Sequence, residues 1–352
     1  MAVLAIPVAV ASAALGTGAA SASTTTPATG VTWHKLSAIN GWHSAQHGNN
    51  TGDPRWAVKG GVVYLSGSVH RTSGSSNFFA VLPSQARPSH KMWITVYTNG
   101  DSTGTLTILP SGEMAASSTP SVNAPGYTSL AAVSFPAKST AQKKITLLNG
   151  WHSEQSVYLS GNPSYTVKNG VVYLSGSLAT SGSNDEFAVL PKAARPAHVE
   201  FITVYTLSGT FGTVQIDPNG AARAYSGSAT SFTSLAAVSY PVASAPRHKL
   251  TLRHGWHSEQ GVYNSGDPAY EVSGGVVYLS GSLATGGTNA LFAVLPPAAR
   301  PAHILYVKTY TFASSVGTLL IEPNGTMWAY SPGPTDASKF TSLATISFPL
   351  TS

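Results

Sequence analysis

The string Gly-Val-Val-Tyr-Leu-Ser-Gly-Ser occurs three times in this chain and marks a repeat that fills most of it. Its copies start at Gly61, Gly170 and Gly275, so they are spaced by 109 and 105 residues. Units of solenoids and propellers usually run about 20 to 50 residues, whereas these units are long enough to be domains. The repetition is also a filter, because a residue type found at one place in all three copies is needed by the fold or used three times.

The limits of the three copies follow from where the shared pattern begins and ends. A chain of 352 residues has room for about two or three domains. Seven residues span at most about 25 Å, so repeats joined by seven-residue linkers must lie close together. We predict repeat 1 at 33–136, repeat 2 at 144–241 and repeat 3 at 249–349, with linkers at 23–32, 137–143 and 242–248.

The first 22 residues are apolar and uncharged, and they end in Ala20-Ser21-Ala22. This ending fits the small-x-small cleavage site of a secretory signal peptide, so we expect residues 1–22 to be removed and the protein to be secreted and extracellular. The segment lacks the Lys or Arg of a typical signal, which leaves an incomplete signal, a hydrophobic leader without a lipid or a membrane span as alternatives. Pro7 weighs against a span, which needs about 20 strongly apolar residues. No other segment is a candidate for a span.

The composition excludes several classes of function. Charged residues make up only 9% of the chain, but hydrophobic residues make up 42%, which argues against disorder. Cysteine is absent, so disulfides, thiolate nucleophiles and Cys-ligated zinc are excluded. The net charge of +6 is scattered, with no basic run longer than Lys143-Lys144, and we therefore expect a solvated surface and no binding of nucleic acid.

Short β-strands follow one another through each repeat, and no segment has the pattern of a helix. In the shared string, Val62 and Tyr64 alternate with Val63 and Leu65, which is the two-residue period of a strand. The preceding Lys59-Gly60-Gly61 predicts a hairpin turn. About eight short antiparallel strands per copy predict an all-β fold of three tandem antiparallel β-sandwich modules of jelly-roll type, since two sheets packed face to face protect their edges.

The order of motifs in each copy carries a resemblance to a known family. The order is Gly-x-Val-x-Leu-x-Gly, then Leu-Pro, Arg-Pro, Ile-x-Pro-x-Gly and a closing Ser-Leu-x-x-x-Ser-Phe. In repeat 1 the motif residues are Gly61, Val63, Leu65, Gly67, Leu82, Pro83, Arg87, Pro88, Ile108, Pro110, Gly112, Leu130 and Phe135. This order resembles the β-sandwich head modules of phage tail-fibre and receptor-binding proteins, which are similar in plan to C1q and tumour necrosis factor heads. Such heads are commonly trimers, so the resemblance implies that the three linked modules pack as a single-chain pseudo-trimer.

A Gly-Trp-His-Ser element recurs in all three copies and is the main candidate for a binding site. A Trp ring offers a face on which a sugar can stack, while His and Gln supply hydrogen bonds. The alternative is that Trp plugs the end of the sandwich and His pairs with backbone. The predicted ligand-binding residues are Trp42, His43 and Gln46 in repeat 1, Trp151, His152, Gln155 and Tyr158 in repeat 2, and Trp256, His257, Gln260 and Tyr263 in repeat 3. Asn49 stands where the other copies have tyrosine, so repeat 1 differs at this loop.

Two further residues recur at the Arg-Pro turn, an arginine within it and a histidine two residues after it. Three equivalent histidines, His90, His198 and His303, are able to share one metal ion only if they converge on a common axis. We favour the alternative that they lie on solvent faces, and we predict no metal and no cofactor. The arginines of the Arg-Pro motif are expected to hold a turn or an interface by hydrogen bonding rather than to bind an anion; they are Arg87, Arg195 and Arg300.

No set of candidate catalytic residues recurs at equivalent positions in all three repeats. Glycosidases usually use two carboxylates, but Glu154 and Glu259 correspond to Ala45, and Asp217 and Glu322 correspond to Leu109. We therefore predict a secreted protein without enzymatic activity that recognises a glycan or a cell-surface protein. It would be a monomer with internal pseudo-threefold symmetry or a small homo-oligomer. The alternatives are a structural component whose repeats mediate protein packing and, third, a hydrolase.

Overall fold

The computed structural model describes residues 31–331 and 336–351. The predicted signal peptide at 1–22 and most of the linker at 23–32 lie outside these residues. Within them the protein is all-β, as the sequence pattern predicts, and every strand pairing is antiparallel. Each sheet draws its strands from one repeat only.

Repeat 1 contains two sheets that face each other across a hydrophobic core. The four-stranded sheet has the order β1 (His34–Lys35), β3 (Arg55–Lys59), β4 (Val62–Ser66), β11 (Ser134–Pro136), and the seven-stranded sheet has the order β2 (Trp42–Ser44), β5 (Ser68–Arg71), β10 (Thr128–Ser129), β7 (Met92–Thr98), β8 (Ser102–Ile108), β9 (Glu113–Ser118), β6 (Phe78–Val81).

Repeat 2 has the same strand order, with its larger sheet divided into two parts that a single bridge between Thr206 and Thr233 connects. Its strands are β12 (Lys143–Lys144), β14 (Ser164–Lys168), β15 (Val171–Ser175) and β22 (Ser239–Pro241) in the first sheet, β13 (His152–Ser153), β16 (Ser177–Ala179) and β21 (Thr233–Ser234) in the second, and β17 (Glu186–Val189), β20 (Ala221–Tyr225), β19 (Phe211–Ile216) and β18 (Glu200–Tyr205) in the third.

Repeat 3 returns to the arrangement of repeat 1, with one four-stranded and one seven-stranded sheet. The smaller sheet has the order β23 (His248–Lys249), β25 (Ala269–Ser273), β26 (Val276–Ser280), β33 (Ser347–Pro349), and the larger has the order β24 (Trp256–Ser258), β27 (Ser282–Thr285), β32 (Thr341–Ser342), β29 (Leu305–Thr311), β30 (Ser315–Ile321), β31 (Thr326–Tyr330), β28 (Leu291–Val294).

Helical structure in the described residues is limited to single turns, which the sequence pattern did not predict. A segment of three or four residues is too short to show the periodicity by which helices are recognised. The α-helical turns are α1 (Asn123–Gly126), α2 (Gln155–Tyr158), α3 (Gln260–Tyr263) and α4 (Asp336–Lys339), and the 3-10 turns are Ser84–Ala86, Lys192–Ala194, Leu207–Gly209, Pro297–Ala299 and Phe312–Ser314.

The shared string forms the second strand of a hairpin, as predicted from its turn residues. Lys59 pairs with Val62 across the two-residue turn in repeat 1. All five residues of β4 are buried, because one face meets the core of its own repeat and the other meets the other repeats. Val63 and Leu65 belong to the core of repeat 1, whereas Val62 and Tyr64 join a cluster that draws on all three repeats.

The Gly-Ser that ends the string turns the chain from one sheet into the other. Gly67 has a φ of +84°, and a Cβ at this position would overlap the backbone of Asp53. Only glycine adopts this conformation without strain while another backbone lies so close. Ser68 then starts β5, where its fully buried hydroxyl bonds the hydroxyl of Thr51 at 2.6 Å. The string is therefore a strand, a corner and the first residue of the facing sheet.

Candidate functional site

The three tryptophans of the Gly-Trp-His-Ser element are buried, with exposed fractions of 2%, 5% and 6% for Trp42, Trp151 and Trp256. Each belongs to the core of its own repeat. Each indole N–H donates to a backbone carbonyl, that of Ser76 at 2.9 Å in repeat 1, Asn184 at 2.8 Å in repeat 2 and Asn289 at 2.8 Å in repeat 3.

This burial corrects one part of the sequence interpretation. A sugar ring stacks on an aromatic ring only if one face of that ring is open, and the core covers the faces of Trp42, Trp151 and Trp256. These tryptophans close the sandwich instead, which is the alternative that the sequence left open. Repetition did not separate the two roles, since core packing and ligand stacking both require the same residue in every copy.

The histidines and glutamines of the element lie at the surface or are half-buried. The Nε2 atom of His152 lies 3.1 Å from Oε1 of the mostly buried Glu154, and His257 lies 3.2 Å from Glu259 in the same way. Repeat 1 has Ala45 instead of the glutamate. There the ring of His43 lies edge-on to the ring of His70 with 6.3 Å between centroids.

The serine that closes the element fixes the backbone of the next turn. Its hydroxyl accepts a hydrogen bond from the backbone N–H of Gln46 at 3.3 Å, and from Gln155 and Gln260 at 3.2 Å. Gln155 and Gln260 then start the single turns α2 and α3. The element therefore carries the chain to Tyr158 and Tyr263, which end those turns.

Tyr158 and Tyr263 lie at the contacts between repeats, which we call seams. In seam 1–2, the ring of Tyr158 meets Phe232 of its own repeat edge-on at 4.7 Å and Trp93 of repeat 1 at 6.1 Å. In seam 2–3, the ring of Tyr263 meets Phe340 at 4.9 Å and Phe201 of repeat 2 at 6.3 Å. The same pair of contacts therefore joins repeat 2 to repeat 1 and repeat 3 to repeat 2.

Seam 3–1 uses the equivalent strands but a different side chain at the tyrosine position. Tyr306 of repeat 3 stacks on Tyr97 of repeat 1 at 4.9 Å and meets Tyr127 edge-on at 6.0 Å. Asn49, the counterpart of Tyr158, has no ring to add. Repeat 1 is thus in contact with repeat 3 as well as repeat 2, and the three seams form a closed cycle.

Backbone hydrogen bonds recur at all three seams in equivalent places. The carbonyl acceptors belong to residues with positive φ, so the loop turns its carbonyl toward the neighbouring repeat. Where all three repeats meet, the hydroxyls of Tyr64, Tyr173 and Tyr278 lie 3.2 to 3.4 Å from one another. Burial raises the pKa of all three phenols. The recurrent bonds run from Lys91 N to Leu159 O at 3.1 Å, from Val199 N to Asn264 O at 2.9 Å, and from Ile304 N to Asn50 O at 2.9 Å.

The three recurring histidines also lie at the seams and are partly buried. His90 packs against Gly161 of repeat 2, His198 against Gly266 of repeat 3, and His303 against Gly52 of repeat 1. Each ring therefore faces a different glycine, and the three do not converge. No cluster of three or more His, Asp or Glu side chains within residues 31–331 and 336–351 is arranged to hold a metal ion. Burial lowers the pKa of each of these histidines.

The arginines hold turns by hydrogen bonding, as expected. The Nε atom of each donates to the carbonyl of a leucine five residues earlier, at 2.9 to 3.0 Å. The equivalent pairs are Arg87 with Leu82, Arg195 with Leu190, and Arg300 with Leu295.

The acidic residues considered in the sequence analysis are engaged locally. Asp217 and Glu186 both bind Arg223, and Glu322 accepts hydrogen bonds from Thr326 and Asn324. A different acid, Glu200, is fully buried in repeat 2, and this burial raises its pKa to about 7. Repeats 1 and 3 have Met92 and Leu305 at its position, so Glu200 is not part of a chemistry that the repeats share.

A groove in seam 1–2 combines aromatic and hydroxyl groups, and the sequence analysis did not identify it. Its volume is about 260 Å³. Trp93 comes from repeat 1, while Tyr205 and Phe211 come from repeat 2, and Trp93 and Tyr205 are stacked with 6.1 Å between centroids. We call it the seam groove. The hydroxyl-bearing residues that line it are Thr103, Thr105, Thr107, Ser117, Ser118, Thr119 and Ser208.

One signal for part of this groove is present in the sequence. Thr103, Thr105 and Thr107 alternate along β8 and therefore project from one face of the sheet. Two of the three aromatic residues, Tyr205 and Phe211, come from another repeat, and alternation within one strand does not reveal which distant residues lie opposite.

Comparisons with protein-family models, with curated proteins and with solved structures found no match to this chain. Of the helices in the described part of the chain, none has the length and apolar character needed to cross a membrane.

Proposed function

We propose that this chain is a secreted, non-enzymatic recognition protein that binds glycans in the seam groove. The observation that carries the proposal is the composition of the groove, where half-buried aromatic rings meet a row of hydroxyls. Aromatic rings pack against the apolar face of a pyranose, and fixed hydroxyls exchange hydrogen bonds with its OH groups. This proposal moves the glycan site from the Gly-Trp-His-Ser loops to a surface shared by two repeats.

The proposed frame for this site is a single-chain counterpart of a trimeric β-sandwich head. The closed cycle of seams supports it, since each repeat contacts both others through equivalent strands. A covalent frame also allows the copies to diverge, and only seam 1–2 combines Trp93 with the three alternating threonines.

A glycan array with the purified chain tests the proposal, followed by calorimetry on the best ligand. Trp93→Phe keeps a ring that the equivalent Phe201 shows to be acceptable at a seam, and it shrinks the stacking surface. Thr103→Val combined with Thr107→Val removes hydroxyls at nearly constant volume. We expect each variant to bind about tenfold more weakly, or about 1.4 kcal/mol.

The matched control is Thr251→Val, which removes an exposed hydroxyl far from the groove along the chain. It should bind like the parent, and all variants should unfold at nearly the same temperature. A flat array, or affinity unchanged in both groove variants, would refute the glycan site.

A structural role for the repeats is the second candidate, and the seams favour it as well. Several features that recur three times are used in contacts between repeats, including His90, His198 and His303. Under this proposal the chain is a preassembled building block, and its outer surface joins further subunits. Light scattering measures this directly: a stable monomer at high concentration contradicts assembly through copies of itself.

A further inference from the structure

Seam 2–3 contains an aromatic pocket that differs from the seam groove in its chemistry. Its volume is about 220 Å³. Phe201 is contributed by repeat 2, and the remaining side chains by repeat 3. We call it the aromatic pocket, and its lining is Phe201, Tyr263, Tyr310, Phe312, Ala313 and Phe340.

The rings of this pocket are held in fixed orientations. Phe340 is almost fully buried and meets Phe201, Tyr263 and Tyr310 edge-on, at interplanar angles of 79° to 87°. The hydroxyl of Tyr310 accepts a hydrogen bond from the backbone N–H of Ser314 at 3.3 Å, which fixes the tyrosine as well. The walls therefore exist before any ligand enters, so little ordering cost opposes binding.

The rim of the pocket is charged, although its walls are apolar. Lys339 is exposed, and its Nζ lies 5.2 Å from the ring centre of Phe312, over that ring. A ligand seated against Phe312 would thus have a cation beside it. The chain carries a net charge of +6, which favours an anion over a cation at this rim.

The equivalent place in seam 1–2 has neither of these features. Leu207 stands for Phe312 and Ser231 stands for Lys339. Since the remaining aromatic positions are kept in both seams, the ring of Phe312 and the charge of Lys339 are what distinguish seam 2–3.

We propose that the aromatic pocket binds a small molecule made of a single aromatic ring that bears an acidic group, with the ring among Phe201, Phe312 and Phe340 and the acid beside Lys339. Apolar cavities of about 150 Å³ accept a benzene ring, so the volume is sufficient for one ring. A free sugar fits poorly, because the walls offer few polar partners to its hydroxyl groups. This inference is independent of the glycan proposal, which concerns a different seam.

Titration calorimetry or ligand-observed NMR with phenylacetate tests the proposal, with 2-phenylethanol and 2-phenylethylamine as neutral and cationic probes of similar shape. We expect one phenylacetate per chain with a dissociation constant of about 1 mM or tighter. The neutral probe should bind several-fold more weakly than phenylacetate, and the cationic probe more weakly still.

Two variants install the residues that seam 1–2 has at the equivalent positions, Ser231 and Leu207, which the fold accepts there. Lys339→Ser should reduce the affinity for phenylacetate several-fold and leave that for 2-phenylethanol unchanged, whereas Phe312→Leu should weaken both about tenfold. Lys192→Ser removes the same charge at an exposed turn elsewhere in repeat 2 and controls for net charge. Near-UV circular dichroism establishes that the variants keep their tertiary packing.

Three results would overturn the pocket proposal. They are the absence of saturable phenylacetate binding, binding that neither Lys339→Ser nor Phe312→Leu changes, and equal affinity for the acid and the neutral probe. Failure of the glycan array leaves this outcome untouched, and phenylacetate should not displace a glycan from the seam groove.

Discussion

The seam between repeats 3 and 1 is joined differently from the two seams between consecutive repeats. Seams 1–2 and 2–3 each bring together four aromatic rings, and a short linker connects their two sides. Seam 3–1 has no such linker, and it has Asn49 where the others have a tyrosine. Seam 3–1 instead contains Lys308, whose side chain is completely buried.

Lys308 is held by groups from both sides of the seam. Its Nζ lies 2.9 Å from Oδ1 of Asp101 in repeat 1, 2.6 Å from the Asp101 carbonyl and 2.8 Å from the hydroxyl of Thr318. The other repeats have Thr95 and Thr203 at this position. A short linker supplies a high local concentration of the two sides, so ring packing and backbone hydrogen bonds are enough there. Where the chain supplies no linker, an ion pair between the buried Lys308 and the half-buried Asp101 joins the two faces.

Removal of Asp101 is expected to have the largest effect. Asp101→Ala leaves the ammonium of Lys308 buried without its carboxylate, which costs about 3 to 5 kcal/mol. Chemical denaturation measures the loss in free energy of unfolding. The double variant Asp101→Ala with Lys308→Thr carries the residue of the other two repeats and should recover most of it. A loss below about 1 kcal/mol for the single variant would mean that the ion pair does not hold seam 3–1.

Glu200 provides the opposite case, because we expect the protein to become more stable when this buried acid is replaced. It is buried in repeat 2, and Arg247 of the 242–248 linker opposes the increase in its pKa, which burial brings to about 7. Between pH 4.5 and 7 the folded chain keeps a proton that the unfolded chain has released. Stability therefore falls as pH rises through this window, and the loss is complete above pH 7.

Glu200→Met, which installs the residue of repeat 1, should therefore stabilise the protein by roughly 3 kcal/mol at pH 8 and by much less at pH 4. Urea titrations at the two pH values measure the difference. If the variant is destabilised at pH 8, Glu200 forms interactions that outweigh the cost of burying its charge.

The glycines that face the histidines test whether linkers hold a seam once its packing is disturbed. Gly52 and Gly161 both have positive φ, and a Cβ on either would overlap a histidine of the neighbouring repeat. Gly48→Ala is the control for backbone strain, since its φ is also positive but no atom of the described residues lies within 4 Å of the added methyl group. We expect about 1 to 2 kcal/mol from strain alone, and more for Gly52→Ala and Gly161→Ala.

The two disturbed seams should respond differently. Gly52→Ala acts on seam 3–1 and should open the cycle, which small-angle scattering detects as a larger radius of gyration. Gly161→Ala acts on seam 1–2, where the 137–143 linker keeps the repeats together. Equal expansion in both variants would show that the linkers contribute nothing to the contrast.

The smallest expected effect is a loosening of the seams in acid. Burial lowers the pKa of His90; for His198 and His303 burial is also the main cause, with Arg247 and Arg55 adding to it and Asp267 and Asp53 opposing it. The unfolded chain therefore binds protons before the folded chain does, so stability is full above pH 6.5 and falls as pH drops below it.

These rings are partly solvated, and we expect only a few tenths of a kcal/mol from each. A thermal melt at several pH values, compared with the triple His→Gln variant, isolates this contribution. The variant should show a flatter profile between pH 6.5 and 5, and an unchanged profile would assign the acid response to other groups.

Most of the local structure was predictable from the sequence. Alternation and glycine turns are local properties, so the hairpin turn between Lys59 and Val62 and the strand that follows it were recognisable. The site was less accessible, because one pattern is compatible with two surroundings. Gly-Trp-His-Ser reads the same whether Trp151 is displayed to a ligand or packed on Phe187, and the difference lies in atoms that are distant in the chain.

The sequence by itself determined that the chain is all-β and that one sequence pattern occurs three times, with the same turns and corners in each copy. The reason is that backbone conformation follows local residue types. The tertiary structure decided which faces meet. Burial of Tyr64 against Tyr173 and Tyr278, and of Lys308 against Asp101, depends on residues more than a hundred positions apart. Such contacts are specified by shape and by the need to pair every buried polar group, and the period of a strand encodes neither.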